Sequence, residues 1–240
     1  MPIKFRFRLI PFVAAAVAVA IGVAAGNWQT RRAEQKLAIE ATMAARDSAA
    51  PQHLGADAPA LAQVEYARVR VRGSFVADWP LYLDNRPQQG RAGFYLLMPF
   101  KIEGSQDSIV VLRGWAPRNL QDRLALPVLT TPAGIIELEG MVKKDAGRVM
   151  QLGSAPAMTP NVLLQNLDLA ALSAASKLTL LPYVLEQHSN TADGLTRDWP
   201  RASSGIDKHR GYAFQWYGLA AAALIFFLVT GFRRESTQKH

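Results

Sequence analysis

The sequence contains no cysteine, which excludes disulfide bonds, thiolate-ligated zinc or copper, iron–sulfur clusters and a cysteine nucleophile. Acidic residues are also scarce: 19 Asp and Glu stand against 27 Lys and Arg, which gives a formal net charge of +8. That charge alone is typical of a nucleic-acid-binding protein, but 50% of the residues are hydrophobic and they concentrate in two uncharged blocks. The distribution indicates a membrane protein with the lipid bilayer as a partner and no nucleic-acid partner.

The motifs of common enzyme classes are missing as well. The sequence has no G-x-S-x-G, no G-x-G-x-x-G, no Walker loop and no H-E-x-x-H, and its acidic residues are scattered rather than grouped. Its 6 methionines are dispersed, which disfavours a copper chaperone. We therefore expect a protein that is not an enzyme, and an extramembrane enzyme is the least favoured alternative.

The first uncharged block is Leu9–Gly26. A helix of that length is about 27 Å long, close to the hydrocarbon thickness of a bilayer. Lys4, Arg6 and Arg8 precede the block without an acidic residue. The pattern predicts a transmembrane helix over residues 9–26, and the alternative is a cleaved signal peptide that ends at the small residues near Gly26.

A second uncharged block, Tyr212–Phe232, is also long enough to span a bilayer. Basic residues flank both chain ends, with Arg233 and Arg234 directly after the second block. The positive-inside rule then places both termini in the cytoplasm, although basic residues also flank the spans on the other side. We expect a cytoplasmic N-terminus (1–8), a second span (209–232) and a cytoplasmic tail (233–240).

The residues between the spans change character twice. The stretch from Gln29 to Asp47 has good helix formers and neither proline nor glycine, so it predicts a continuation of the first helix. The following "SAAPQHLGADAPA" indicates a linker, in which His53 is expected to be exposed and without a role. Together they form a juxtamembrane helix and linker over residues 27–61.

Residues 62–208 are predicted to form a β-rich domain outside the inner membrane. Short β-branched or aromatic stretches bounded by glycine, proline or asparagine predict strands, and Asn166–Lys177 predicts a helix capped by Asn166 or Asp168. The fold class is a membrane protein whose two transmembrane helices flank an α+β, mainly antiparallel β domain, with a partly closed barrel as one form. The predicted strands are Ala67–Gly73, Leu81–Arg86, Gly93–Phe100, Ser108–Trp115, Gly134–Lys144 and Leu181–Gln187.

Strict alternation in "ARVRVRG" puts Arg68, Arg70 and Arg72 on one face of the first predicted strand. We interpret this row as the solvent-facing side of a sheet. A phosphate-binding stripe and a surface that faces anionic lipid headgroups are the alternatives.

Two polar clusters stand at predicted strand ends. Asp84-Asn85-Arg86 indicates a turn, because Asp and Asn side chains bond to their own backbone; the alternative is a carboxylate clamp built on Arg86. "RGWAPR", which starts at Arg113, indicates a structural corner with Trp115 packed across it.

Four segments resemble, in order, the surfeit-locus-one family, also called Surf-one or Shy-one. They are "GNWQTRRAEQK", "YLDNRPQQGRAGFYLLMPF", "VVLRGWAP" and "HRGYAFQW". Leu112 stands where the family often has asparagine. The matching positions are Gly26, Trp28, Gln29, Arg32 and Lys36; Asn85, Arg86, Gly90, Gly93 and Pro99; Arg113, Gly114, Trp115 and Pro117; and His209, Tyr212, Ala213, Gln215 and Trp216.

The resemblance implies a multi-pass protein of the bacterial cell inner membrane, with its central domain (62–208) in the periplasm, that assists assembly of haem-copper cytochrome c oxidase. It implies handling of haem a on its way to the catalytic subunit, with oxidase subunit I and other assembly factors as partners. Only eight residues precede the first predicted span, so we expect a bacterial member without a transit peptide. The alternative role is a membrane scaffold that holds oxidase subunits without binding haem.

A haem site at the mouth of the second span is the expectation that follows. With cysteine absent, His209 is the candidate axial ligand of the haem iron. Helical spacing puts Tyr212 and Trp216 on the same face with Gln215 nearby, and Arg32 or Arg210 could pair with a propionate. The alternative is an interfacial histidine that only contacts headgroups. His188 is a second candidate, expected instead in a surface loop.

Overall fold

The computed structural model describes residues 3–5, 7–122, 125–127, 129–151, 153–199 and 205–234. The chain divides into two compact units, which we call the helical unit (Met1–Ala41 with Ala202–His240) and the barrel unit (Thr42–Arg201). The elements in chain order are β1 (Ile3–Phe5), α1 (Leu9–Asp47), β2 (Gln52–His53), α2 (Leu61–Val64), β3 (Arg68–Phe75), β4 (Leu81–Leu83), β5 (Gly93–Ile102), β6 (Asp107–Pro117), β7 (Ile136–Lys143), β8 (Leu163–Leu164), α3 (Leu169–Ser176), β9 (Thr179–Gln187), α4 (Ile206–Gly231) and β10 (Phe232–Arg234).

Helix α1 continues without a break from the first apolar block into the polar stretch that follows it. Its 39 residues correspond to about 58 Å, roughly twice the hydrocarbon core of a bilayer. Pro11 is tolerated because it lies in the first turn, where backbone N–H groups have no helical partner. The helix therefore contains both the predicted span and the predicted juxtamembrane extension.

Helix α4 is the second helix that is long and apolar enough to cross a membrane. Its large apolar side chains point outward rather than into a core: Phe214 is 79% exposed and Phe226 71%. The same holds for α1, where Ile10 is 83% exposed. In a soluble protein, large apolar side chains of a helix mostly pack into the core. Their exposure here therefore indicates contact with lipid. The two predicted transmembrane helices are confirmed as helices of the required length and composition.

The two ends of the helical unit are joined by a short antiparallel ribbon. Strand β1 pairs with β10 in a register that sets Lys4 opposite Arg233 and Phe5 opposite Phe232. Both chain ends therefore leave the pair of helices on the same side, as two spans require.

The barrel unit is built on a sheet that closes on itself. Strand β3 pairs with β7, β7 with β9, β9 with β6, β6 with β5, and β5 again with β3. All these pairings are antiparallel except β6 with β9, which is parallel. The mainly antiparallel α+β domain is confirmed, and its predicted barrel form is a ring of five strands, with β2, β4 and β8 added at its margins.

Alternation along the strands fills the inside of the ring. Val69 and Val71 of β3 are buried with Phe100 of β5, Ile109 of β6 and Tyr183 of β9 in one apolar cluster. A second cluster lies against another face of the sheet and is covered by α3, whose Leu172 is fully buried. Both clusters follow from strands that bury alternate residues on opposite faces.

Helix α3 begins as the sequence indicates. The Asp168 side chain accepts hydrogen bonds from the backbone N–H groups of Ala170 (2.9 Å) and Ala171 (3.0 Å), which satisfies two donors that a helix start leaves without partners. The helix ends at Lys177 in the left-handed conformation. Of the two predicted caps, the structure uses Asp168, and Asn166 instead bonds to the backbone of Val149.

The predicted linker is more ordered than its composition indicates. Gln52 and His53 add a short parallel strand to β3, and the following Leu54 is 1% exposed within the barrel core. A single large apolar side chain among small and polar residues is enough to anchor the segment, because its burial removes it from water. His53 is exposed, as expected.

The arginine row of β3 faces outward and is matched by acidic residues. Glu139 on β7 accepts hydrogen bonds from both Arg68 and Arg70, and Arg72 forms an ion pair with Glu103. The hydrogen bonds from Arg68 and Arg70 hold the pKa of the Glu139 carboxyl below its ordinary value. The interpretation as the solvent-facing side of a sheet is confirmed.

Candidate functional site

The packed positions of α1 and α4 recur every three or four residues, which is the spacing of an antiparallel coiled-coil seam. In both helices these positions are buried or half-buried, whereas most of their neighbours are exposed. They are Gly22, Gly26, Gln29, Ala33 and Lys36 on α1, and Ile206, His209, Ala213, Trp216 and Ala220 on α4.

Glycines let the two helices approach closely along this seam. A Cβ atom at Gly22 would lie 2.9 Å from the Cβ of Ala220 and 3.0 Å from the carbonyl oxygen of Trp216. A Cβ at Gly26 would lie 2.5 Å from the ring of Tyr217. Small residues at such positions are typical of helix pairs in membranes, where close packing replaces the hydrophobic effect as the driving force.

His209 lies on the seam and is bonded to the facing helix. Its Nδ1 atom is 2.6 Å from Oε1 of Gln29. Because an amide oxygen only accepts hydrogen bonds, Nδ1 is the donor in this contact, and in the neutral ring Nε2 is then the nitrogen with the lone pair. Within the described part of the chain, no hydrogen bond engages Nε2, so this nitrogen is available to a ligand.

A second polar contact crosses the seam about two turns of α4 further along. The Tyr217 hydroxyl donates to Oδ1 of Asn27 at 2.7 Å and lies 3.5 Å from the hydroxyl of Thr30. Neither Tyr217 nor Asn27 is among the site residues predicted from the sequence. The three-and-four spacing of small and polar residues in both helices is the signal that could have identified these contacts.

The other residues predicted near the haem are distributed around the helices. Trp216 is half-buried on the seam, but Tyr212 is 53% exposed and Gln215 is also exposed. Arg32 is exposed and donates to Gln35 one turn away, at 3.1 Å. The structure therefore brings His209, Trp216 and Gln29 to the seam and leaves Tyr212, Gln215 and Arg32 on outer faces, as it does Trp28.

In the barrel unit, Arg113 is the extra residue of a β-bulge. Leu96 of β5 is opposite Gly114 and Leu97 is opposite Leu112, so no residue of β5 is paired with Arg113 in the strand register. The bulge turns its side chain into the interior, where it is completely buried. At Gly114, a Cβ would lie 2.6 Å from the Cβ of Leu195, which leaves no room for a larger residue.

The Arg113 guanidinium is engaged within the domain. It donates to Asp193 at 3.0 Å, to the carbonyl oxygen of Thr130 at 2.8 Å and to the Thr131 hydroxyl at 2.9 Å. It also lies over the ring of Phe75, 4.6 Å from its centroid. Burial lowers the pKa of Arg113, and the charge of Asp193 opposes that effect. The residue fastens the segment around Asp193 to the barrel.

Asp193 is the centre of this buried network and was not identified from the sequence. Its Oδ2 atom accepts from Arg113, from Arg197 at 2.6 Å and from the Thr191 hydroxyl at 2.9 Å. Burial would raise the pKa of the Asp193 carboxyl, but the hydrogen bonds from Arg197 and Thr191 and the charge of Arg197 outweigh it and hold the pKa below its ordinary value. The carboxylate is therefore charged at neutral pH.

Arg86 has a comparable structural role at the turn that follows β4. It donates to the carbonyl oxygens of Asp84, Gly147 and Gln165, each at 3.0 Å, and is 6% exposed. Asn85 has a φ of 56°, and its N–H bonds to the Asp84 carboxylate at 2.6 Å. These contacts agree with the turn interpretation rather than with a carboxylate clamp, because the guanidinium already holds three backbone segments together.

The corner predicted at Trp115 is bonded to two distant segments of the barrel unit. The Trp115 indole N–H donates to the carbonyl oxygen of Arg86 at 2.7 Å, and the Trp115 backbone exchanges two hydrogen bonds with Thr196. The motif residues of the barrel unit therefore hold its loops together. His188 is exposed beside Glu186, with 3.3 Å between Nε2 and Oε1.

Comparison with known proteins agrees with the resemblance seen in the motifs. The profile of the SURF1 family matches residues 16–221. A SURF1-like protein of Rickettsia bellii is 26% identical over 215 residues, covering 85% of this chain and 83% of the relative. Surfeit locus protein 1 is 29% identical over 218 residues in Rattus norvegicus (82% and 68% coverage) and 27% identical over 219 residues in Homo sapiens (82% and 69%). The chain therefore belongs to the SURF1 family.

Proposed function

We propose that this protein is a membrane-anchored assembly factor for haem-copper cytochrome c oxidase, and that it holds haem a during maturation of the catalytic subunit. The observation that carries the proposal is the position of His209: it lies on a seam between two helices that are long and apolar enough to span a membrane, with Nδ1 bonded to Gln29 and with no hydrogen bond from the described residues to Nε2. A neutral imidazole with one nitrogen engaged and the other available is the form that ligates iron.

The surroundings of His209 also suit a haem. Trp216, seven residues further along α4, offers a flat ring on the same seam. Basic side chains that could pair with propionates lie in adjacent turns, at Arg32 and Lys36 of α1 and at Lys208 and Arg210 of α4. The apolar outer surfaces of both helices would accommodate the macrocycle in lipid. When bound, haem would supply a redox-active iron centre; His209 would hold the iron, and the seam would orient the group.

The first prediction concerns His209 directly. The protein purified from cells that make haem a is expected to show a Soret band, and His209→Ala should abolish or shift it because the axial nitrogen is removed. His188→Ala is the matched control, since this histidine is exposed in the barrel unit and should leave the spectrum unchanged. A spectrum that is identical in wild type and His209→Ala would contradict the role of His209.

A scaffold that never binds haem is the second candidate. It is favoured by the motif residues of the barrel unit, because Arg86, Arg113 and Trp115 are all engaged in internal contacts. A rigid domain on two spans could hold oxidase subunits in place. On that reading the purified protein is colourless and still co-purifies with oxidase subunit I.

We also propose that the barrel unit is periplasmic in a bacterial inner membrane. Support comes from the basic residues at both chain ends and from the β1–β10 ribbon, which keeps those ends on one side. A reporter fused after Lys239 is expected to behave as cytoplasmic and one inserted at Asp57 as periplasmic. The opposite pattern from an alkaline phosphatase and a fluorescent protein reporter would reverse the orientation.

A further inference from the structure

We infer that Gln29 on the first helix is a positioning residue for His209: its side-chain oxygen holds Nδ1 and thereby directs Nε2 to the iron. The inference rests on the proposed haem role of His209. It assigns to the first helix a part in tuning the ligand, which the motif match alone does not supply.

The contact between Gln29 and His209 is fixed by the register in which the two helices pack. Gln29 follows Gly26 by three residues and precedes Ala33 by four, so it occupies the same seam as the residues that let the helices touch. His209 occupies the equivalent place on α4, four residues before the buried Ala213. The two polar side chains are therefore held opposite each other by the apolar and small residues on either side.

The hydrogen bond from His209 to Gln29 affects how well His209 can bind a metal. A histidine that ligates a metal through one nitrogen is oriented and made more basic when the other nitrogen donates to an acceptor. The Gln29 oxygen, 2.6 Å from Nδ1, is such an acceptor. It stabilises the tautomer with the proton on Nδ1 and opposes rotation of the ring. A ligand that is more electron-rich favours ferric iron and lowers the reduction potential.

The test uses two substitutions with opposite expected effects. Gln29→Leu keeps the volume but removes the acceptor, so haem should bind about 10–100-fold more weakly, and the reduction potential of the haem that remains bound should rise. Gln29→Glu supplies a stronger acceptor and should lower the reduction potential. The Soret bands of Gln29→Leu and Gln29→Glu should shift in opposite directions from that of wild type. A residue that only packed the helices would not produce shifts of opposite sign.

Tyr217→Phe is the matched control. It removes the interhelical hydrogen bond to Asn27 and the hydroxyl contact with Thr30 without touching His209. If Gln29→Leu acted only by loosening the seam, Tyr217→Phe would weaken haem binding as well. We expect its haem affinity, Soret band and potential to remain those of wild type.

A readout without haem separates this inference from the haem proposal. In haem-free protein labelled with ¹⁵N-histidine, the His209 ring should carry its proton on Nδ1 in wild type and should shift toward the Nε2–H tautomer in Gln29→Leu. If wild type binds haem through His209 but Gln29→Leu and Gln29→Glu leave affinity, potential and tautomer unchanged, the inference is overturned while the proposed function stands. If wild type binds no haem and the tautomer still depends on Gln29, the haem role fails and the contact itself is retained.

Discussion

Asp193→Asn is expected to destabilise the barrel unit by about 3–5 kcal/mol, because it leaves the completely buried Arg113 without a counter-charge. The Asn side chain keeps nearly the same shape, so the loss comes from charge and hydrogen bonding rather than from a cavity. Thermal or urea unfolding of the full chain in detergent, followed by the circular dichroism of the β-structure, measures the change.

The exposed face of the same barrel offers a matched control for this substitution. Glu139 also joins two arginines, Arg68 and Arg70, but all three side chains are partly exposed. Exposed ion pairs contribute little, so Glu139→Gln should cost at most about 1 kcal/mol. Adding Arg113→Met to Asp193→Asn should recover part of the lost stability, because it removes the charge that was left unpaired. Equal losses for Asp193→Asn and Glu139→Gln would contradict the assignment of Asp193 as the centre of a buried network.

Acid should reveal the same network in the unmodified protein. A carboxyl whose pKa is lower in the folded state than in the unfolded state stabilises the fold above its unfolded pKa, which is about 4 for aspartate. That contribution is lost as the pH falls through the lowered pKa of folded Asp193. The free energy of unfolding of wild type should therefore decrease as the pH falls below about 4. Asp193→Asn should show a smaller decrease over the same pH range.

Among glycine-to-alanine substitutions in the barrel unit, Gly73→Ala is expected to lower the stability most. Strand β3 pairs with β7 up to Gly73 and with β5 from Gly73 onward, so this residue is the corner at which the ring closes. A Cβ there would lie 1.9 Å from the carbonyl oxygen of Lys101. Backbone cannot move away without opening the β3–β5 pairing, and we expect a loss of about 3 kcal/mol or more.

Gly55→Ala controls for the general effect of replacing a glycine. It lies in the same unit, and its Cβ would meet only the His53 ring at 3.6 Å, an ordinary contact. Its stability should stay within about 0.5 kcal/mol of wild type. The midpoint of thermal unfolding of the two variants gives the comparison, and a Gly73→Ala protein as stable as Gly55→Ala would show that the ring does not close through this corner.

Local patterns in the sequence predict the elements of the barrel unit well. The alternation of valine and arginine in β3 gives the inward and outward faces directly, because side chains on a strand point to opposite sides. Asp168 at the start of α3 was identified for the same reason: an N-cap acts within three residues. The two apolar helices follow from length and composition alone.

Contacts between distant segments are where the sequence is insufficient. Nothing local indicates that β6 pairs in parallel with β9 some 70 residues later, or that Asp193 reaches the interior beside Arg113. Arg113 was recognised as a motif residue, but a bulge that redirects a charged side chain inward is set by its partner strand. At the seam, Gln29 and His209 were both identified, yet their pairing depends on how the two helices align, which composition does not fix.

The order of the strands along the chain has a consequence for biogenesis. The ring is completed by β9, the last of its five strands, which must enter between β7 and β6. A nascent polypeptide that has not yet delivered Gln187 therefore leaves two strand edges unpaired, and such edges attract foreign strands. Only residues 188–205 separate that strand from the second apolar helix. Translation thus supplies the closing strand and the second membrane anchor almost together, and a ribosome stalled before this point would release a product that lacks both.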